Sequence, residues 1–275
     1  MIPVQDLEGA KALVTGGGTG VGLGITRCLL RHGARVATAA RRLEVLDAAA
    51  EKLRAEIPGA EIQTLRCDVT VEEDVAAAVT AAADGGGLDV AVANAGTGAL
   101  GPILLAKPED WRRVFDLNVV GTLLTIKHAA HAMKDSGRGS IVAISSVAGV
   151  LVEAWLGPYS PSKAALEMLV RLAAVELGPM GIRVNAVRPG LVMQEHVETI
   201  VQVPGMRENM EAITPLRLEG SGEEIGEAIA YLSGPRGTWV TGQVFSVDGG
   251  HSIPQGASFE PVVRMAFPEL ITGKG

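Results

Sequence analysis

Tyr159 and Lys163 stand four residues apart in the run Tyr-Ser-Pro-Ser-Lys. On a helix that spacing puts two side chains on one face. A tyrosine that gives or takes a proton near neutrality must have its pKa of ~10 brought down by about 3 units, or ~4 kcal/mol. A neighbouring ammonium favours the phenolate and supplies part of that shift. The chain has only two tyrosines, so the pair is not one of many. Taken alone, it also fits a buried structural tyrosine beside an unrelated surface lysine. A second chemical signal lies in Thr15-Gly16-Gly17-Gly18-Thr19-Gly20-Val21-Gly22, where Gly16, Gly20 and Gly22 are spaced G-x-x-x-G-x-G. Glycines allow positive φ and let backbone approach a ligand closely. The N-terminus of a following helix offers free N–H groups and a positive dipole end to a phosphate. The spacing is neither G-x-G-x-x-G nor the phosphate-loop G-x-x-x-x-G-K-[ST], and glycines that merely turn a strand into a helix are the alternative.

These residues need elements to position them. Residues 11–15 read as a short buried strand running into the glycine cluster, and residues 21–32 as a helix closed by Gly33. Strands follow at 35–39, 61–66 and 90–93, the last ending in Asn94-Ala95-Gly96. Helices are expected at 43–57, stopped by Pro58-Gly59, and at 71–83. A long helix lies within 108–133, a strand at 140–144, and the helix carrying Tyr159 and Lys163 at 159–177. The pattern closes with strands at 183–188 and 243–247 and a helix near 223–232. Strands apolar on both sides of the pleat belong in a parallel sheet covered on both faces, with right-handed crossovers. The expected fold is therefore α/β: a Rossmann-type, doubly wound, parallel seven-stranded sheet in a single domain spanning residues 1–250. Ligands of such sheets bind beyond the C-terminal ends of the strands. Two segments fall outside the alternation. Residues 191–220, with Met193, Met206, Met210, Pro204 and Pro215, are expected to form a lid. The tail 251–275, which holds Phe259, Met265 and Phe267, is expected to pack over a substrate pocket of its own chain or a neighbour's.

Composition narrows the function. Of 275 residues, 47% are apolar and 20% charged, which excludes a disordered chain. Aromatics are only 3%, so Ala, Val, Leu and Ile must fill the core. A net charge of −7 argues against a general nucleic-acid binder. Cys28 and Cys67 form neither a disulfide framework nor a metal-ligand spacing and are expected to be inert core thiols. His128 and His131, one turn apart, lack a third ligand and read as core or interface residues, so no metal is expected. The apolar stretch 90–106 is broken by Asn94, glycines and Pro102 and is too short to span a membrane. Residues 1–9 lack the apolar run of a signal peptide, which makes the cytoplasm the expected location.

In its order of motifs the chain resembles the short-chain dehydrogenase/reductase family over roughly residues 7–250. Residues 15–22 match its cofactor glycine motif, Asp68-Val69 its adenine contact, and Asn94-Ala95-Gly96 the motif that steadies the central sheet. Asn118, Ser146, Tyr159 and Lys163 match its catalytic tetrad, with Ser146 thirteen residues before Tyr159; Ser145 is the neighbouring alternative. Arg188-Pro189-Gly190 and Val247-Asp248-Gly249-Gly250 fit the later part of the pattern. The resemblance implies hydride transfer between a nicotinamide cofactor and a small-molecule carbonyl or alcohol. Tyr159 would be general acid or base, and Ser146 would bind the substrate oxygen. Lys163 would hold the ribose hydroxyls and lower the Tyr159 pKa, and Asn118 would hold a water linking Lys163 to solvent. The implied cofactor contacts are Gly16, Thr19, Gly20, Val21, Gly22, Arg41, Arg42, Asp68, Val69, Asn94, Ala95, Gly96, Tyr159, Lys163, Pro189, Gly190 and Val192.

Members that prefer NAD end the second strand in an acid. Here that position is Ala40, followed by Arg41 and Arg42, which suit the 2′-phosphate of NADP(H). NADP(H) is therefore the expected cofactor, with NAD(H) still compatible. Where members often carry Thr for the carboxamide, this chain has Gln194. Glu153 and Trp155 fall where the pocket wall is expected, and Leu151, Val152, Trp155, Met193 and Val197 imply an apolar pocket. The two long helices would pair across a two-fold axis in a homotetramer. A redox-sensing regulator that binds dinucleotide without catalysis is the alternative, and a methyltransferase with a similar glycine loop is a third.

Overall fold

A computed structural model describes residues 6–193, 195–216, 219–253 and 259–266, without the side chains of residues 195, 196 and 260. The chain alternates strands and helices: β1 (Lys11–Thr15), α1 (Gly20–Arg31), β2 (Arg35–Ala40), α2 (Leu43–Glu56), β3 (Ile62–Arg66), α3 (Glu72–Ala83) and β4 (Val90–Ala93). The second half holds α4 (Pro108–Phe115), α5 (Gly121–Met133), β5 (Gly139–Ile144), α6 (Tyr159–Leu177), β6 (Ile182–Pro189), α7 (Glu195–Val201), α8 (Met206–Ile213), α9 (Gly222–Ser233), β7 (Val244–Val247) and α10 (Glu260–Ala266). The strands form one parallel sheet in the order β3-β2-β1-β4-β5-β6-β7, the doubly wound Rossmann-type arrangement that the sequence pattern predicts. Successive strand residues point to opposite faces. Leu13 accordingly joins a core with Ile126, Met133 and Leu166 beneath α5 and α6. Its neighbour Val14 joins Ile25, Leu29 and Ile229 beneath α1 and α9.

The long helix expected within 108–133 is broken. A π-helical turn, Asp116–Val120, separates α4 from α5, and Asn118 sits at its centre. Residues 191–220 contain α7 and α8, and a parallel bridge between Val192 and Gly220 closes the base of the segment. Helix α9 starts just after that bridge, on a capping box between Ser221 and Glu224. It packs closely on α1. A Cβ built on Gly222 would lie 2.9 Å from Gly24 Cα, 3.0 Å from the Val21 carbonyl oxygen and 3.3 Å from that of Gly20. One on Gly226 would lie 2.4 Å from Cys28 Cβ. Among the described residues no helix is long and apolar enough to cross a membrane.

Candidate active site

The strand order reverses between β1 and β4, and the crevice beyond their C-terminal ends holds the glycine turn. Gly16 and Gly20 have φ of +69° and +51°, in the left-handed region that favours glycine. A Cβ on Gly22 would stand 2.1 Å from the Gly16 carbonyl oxygen, so the backbone itself excludes a side chain there. Thr19 is the N-cap of α1, yet its side chain makes no capping bond, and the first turn carries no acid. The free N–H groups at that end are open to an anion, and the turn fits the pyrophosphate of a dinucleotide. Asn94 fixes the turn from β4: its amide donates to the Thr15 and Gly16 carbonyls at 2.9 and 3.2 Å. The Thr15 hydroxyl in turn accepts from the Asn94 and Ala95 amides at 3.0 and 3.1 Å.

A cleft of about 830 Å³ runs from this turn to Tyr159. Its wall takes in Gly16, Thr19, Val21, Gly22, Arg41, Arg42, Asp68, Val69, Asn94, Ala95, Gly96, Ser146, Tyr159, Lys163, Pro189, Gly190 and Val192. Of the expected site residues, Gly20 and Asn118 do not line it. Gln194 lies outside the described residues. Arg41 and Arg42 are exposed at the rim. Against the burial that would raise it, the Asp68 carboxyl is held below its usual range by two hydrogen bonds from Thr70 and by the Arg41 guanidinium. A second hollow of about 820 Å³ opens at the opposite end of the sheet. Polar groups there are engaged: Arg183 with the Leu232 carbonyl, Asp6 with Arg236, and Asp89 with the Lys11 amide.

At the inner end of the cleft Tyr159 opens α6, and Lys163 follows one turn on, its Nζ 5.6 Å from the centre of the tyrosine ring. Lys163 Nζ donates to the Ile144 carbonyl at 2.8 Å. Ser146 accepts from the Ala148 amide at 3.2 Å and stands near enough to the Tyr159 phenol to oppose the rise in its pKa. Ser145 turns the other way and donates to the buried Glu167 at 2.8 Å. Asn118, fully buried, accepts from the Thr97 amide at 2.8 Å and donates to the Thr97 carbonyl and Ser162 hydroxyl, each at 2.9 Å. Its side chain therefore clamps the loop after Gly96 against α6.

Electrostatics here depart from the expectation drawn from residue spacing. Burial raises the Tyr159 pKa, Ser146 opposes this by hydrogen bonding, and the Glu153 charge adds to the rise. The Lys163 ammonium is turned to the Ile144 carbonyl. Burial lowers the lysine's own pKa to about 8, with Glu167 opposing. Desolvation outweighs the effect of charge spacing, and the phenol is held protonated, as a proton donor requires.

A family model described as enoyl-(acyl carrier protein) reductase matches residues 16–252. Cis-4-hydroxycyclohexanecarboxylate dehydrogenase of Sinomonas cyclohexanicum is 37% identical over 88% of this chain and 96% of its own. A short-chain type dehydrogenase/reductase from Mycobacterium ulcerans superposes with a TM-score of 0.88 at 36% identity, covering 96% of this chain and 97% of that one. This chain belongs to the short-chain dehydrogenase/reductase family. It is an NAD(P)-dependent oxidoreductase, and the relatives give no support to the regulator reading. A 7α-hydroxysteroid dehydrogenase solved with NADH and 7-oxo glycochenodeoxycholic acid is also similar, with a TM-score of 0.84 at 30% identity, over 90% of this chain and 96% of that one.

In this short-chain dehydrogenase the pocket wall differs from the expected apolar set. Of Leu151, Val152, Trp155, Met193 and Val197, only Val197 lines the cleft. Trp155 has φ of +73° and is 70% exposed, so the loop before α6 turns its bulky residues outward. Leu156, Ile200 and Met210 form the apolar wall instead. Glu153 does line the cleft, as does His251, which sequence reasoning missed. The tail does not cover its own cleft with Phe259 or Met265, both of which are exposed; Phe267 lies outside the described residues. Glu167 was missed too. It is buried, receives Ser145, and takes a two-pronged contact from Arg188 at 3.0 and 2.7 Å. Its only sequence signal is a carboxylate four residues beyond Lys163 on the same helix face. Cys28 and Cys67 are buried, as expected, and burial pushes the Cys67 thiol up to about 12. Cys28 gathers with His32 and Glu227, and burial first, then Glu227, holds its thiol protonated. His128 faces Glu72 at 3.1 Å.

Proposed function

We propose that this enzyme moves a hydride between NADP(H), in preference to NAD(H), and a small carbonyl or alcohol, with Tyr159 as general acid and base. The observation that carries the reading is that Ser146, Tyr159 and Lys163 line one end of the same cleft, with the Lys163 ammonium 5.6 Å from the centre of the Tyr159 ring. The nicotinamide supplies or accepts the hydride. Ser146 holds the substrate oxygen as charge develops on it. Tyr159 gives that oxygen a proton in reduction and takes one in oxidation. Lys163 and the glycine turn hold the cofactor, and Asn118 keeps the loop of Gly96 in place beside Lys163. Residues 191–220 act as the lid, since Val197, Ile200 and Met210 from this segment face the cleft. A cytoplasmic homotetramer completes the reading.

A panel of ketones and alcohols, followed by absorbance of the reduced nicotinamide, tests it. Tyr159→Phe should lower kcat by at least ~10²-fold, the usual contribution of acid–base catalysis, and leave NADPH binding nearly unchanged. A variant that keeps about a third of the activity would overturn the assignment.

A further inference from the structure

The substrate end of the cleft holds two ionisable groups that hydride transfer does not use. Glu153 lies on the loop between Ser146 and Tyr159, about a third exposed. His251 follows the Asp248-Gly249-Gly250 turn beyond β7 and is only 7% exposed. Both line the cleft. Their nearest atoms, His251 Nε2 and Glu153 Oε1, are 4.0 Å apart, too far for a hydrogen bond. Among the described residues neither ring nitrogen of His251 has a hydrogen-bond partner. Asp248 does not serve the ring, because its carboxylate accepts from the Gly250 and Ser252 amides, each at 2.9 Å. Leaving a buried polar atom unpaired costs ~1–3 kcal/mol. Buried polar atoms are nearly always paired, and one left unpaired on a cleft wall is a place for a ligand atom.

We propose that Glu153 and His251 form a polar subsite for a second hydroxyl of the substrate, which is therefore a diol or a hydroxy-ketone. This rests on the reading of Tyr159 and Ser146 as the reacting end. A hydroxyl both donates and accepts. It donates to the Glu153 carboxylate and accepts from an N–H of the His251 ring. An oxygen bonded to both at ~2.8 Å bridges atoms about 4–5 Å apart, which matches the observed gap. Glu153, His251 and Tyr159 line the same cleft, so one substrate can span the subsite and the reacting end. Leu156, Val197, Ile200 and Met210 provide an apolar wall for the carbon skeleton. A carboxylate-bearing substrate is repelled by Glu153. An ammonium offers donors alone and leaves the N–H of the imidazole unpaired.

Calorimetric titration of the NADPH-loaded enzyme with cyclohexanol and with the 1,2-, 1,3- and 1,4-cyclohexanediols tests the subsite, since no turnover takes place with reduced cofactor. At least one diol should bind tenfold or more tightly than cyclohexanol. Glu153→Ala and His251→Leu should each remove most of that advantage and leave cyclohexanol binding within about threefold, which also shows that the variants are folded. Three results would each overturn the proposal: no diol advantage in the wild type, an advantage that survives both substitutions, or tighter binding of 4-aminocyclohexanol or 4-hydroxycyclohexanecarboxylate than of any diol. Oxidation assays with NADP⁺ run in parallel separate the two readings. Selective diol binding without turnover would sink the role of Tyr159 and leave the subsite standing.

Discussion

Lys163 is placed where an ammonium is expensive to hold. Burial lowers its pKa to about 8 from the ordinary 10.5. Between those values the unfolded chain binds more protons than the folded one, so the stability of the protein should rise with pH across that window. Below pH 8 the full cost is present, about 3 kcal/mol for a shift of this size. Lys163→Met, which cannot carry charge, should therefore be more stable than the wild type at pH 7 in the absence of cofactor. The gap should narrow as pH approaches 10.5. Denaturant midpoints measured at pH 7, 8.5 and 10 check this, and a gap that does not change with pH would contradict it. Such a cost fits a residue kept for function. Its partner Tyr159 shows the same conflict, with burial and Glu153 against Ser146.

At the scale of elements, the proposed preference for NADP(H) rests on the end of β2. Ala40 ends the strand, and Arg41 and Arg42 come before the first turn of α2. Neither guanidinium has an ion pair within 4 Å among the described residues, and a cation at a helix start opposes the dipole, so helix stability does not account for them. Charge-assisted bonds to a phosphate contribute about 1.5–3 kcal/mol each. We expect kcat/KM to favour NADPH over NADH at least tenfold, and Arg41→Ala to shrink that ratio. Equal efficiency with both cofactors in the wild type would refute the preference. The glycine turn was legible because Gly16, Gly20 and Gly22 have no substitute at those angles and contacts. The π-helical turn at Asn118 was not, since the apolar period of the long helix runs on through it. Helices α7 and α8 were not either, because seven or eight residues show too little period to separate helix from loop.

For the whole molecule, the parallel seven-stranded sheet and the bounds of strands and helices followed from apolar runs punctuated by Gly and Pro, mostly within a residue of the observed ends. What stayed hidden depends on contacts between distant stretches. His251 meets Glu153 only once β7 and the loop before α6 are folded onto the same cleft, and no local pattern in the sequence marks that. Trp155 misled in the same way: its residue type suits a pocket wall, and its backbone turns it to solvent. Exposed Leu123 on α5 and Met168, Leu172 and Val175 on α6 leave apolar surface on the two helices that flank the active site. Light scattering should find an assembly of four chains at micromolar concentration. A 28.4 kDa species alone would exclude it.

The close approach of Gly222 to the backbone of Gly20 and Val21, too tight to admit a side chain without a shift, packs the glycine turn directly against the start of α9, which follows the 191–220 segment. Helix α9 contributes nothing to the cleft wall, yet a methyl group at its first residue would push on the glycine turn proposed to hold the cofactor. A genetic screen for weakened cofactor affinity should therefore return substitutions in α9 as well as in the glycine loop. Gly222→Ala should raise KM for the cofactor and for the substrate together, severalfold each. If the cofactor KM were unchanged, the two regions would be mechanically independent.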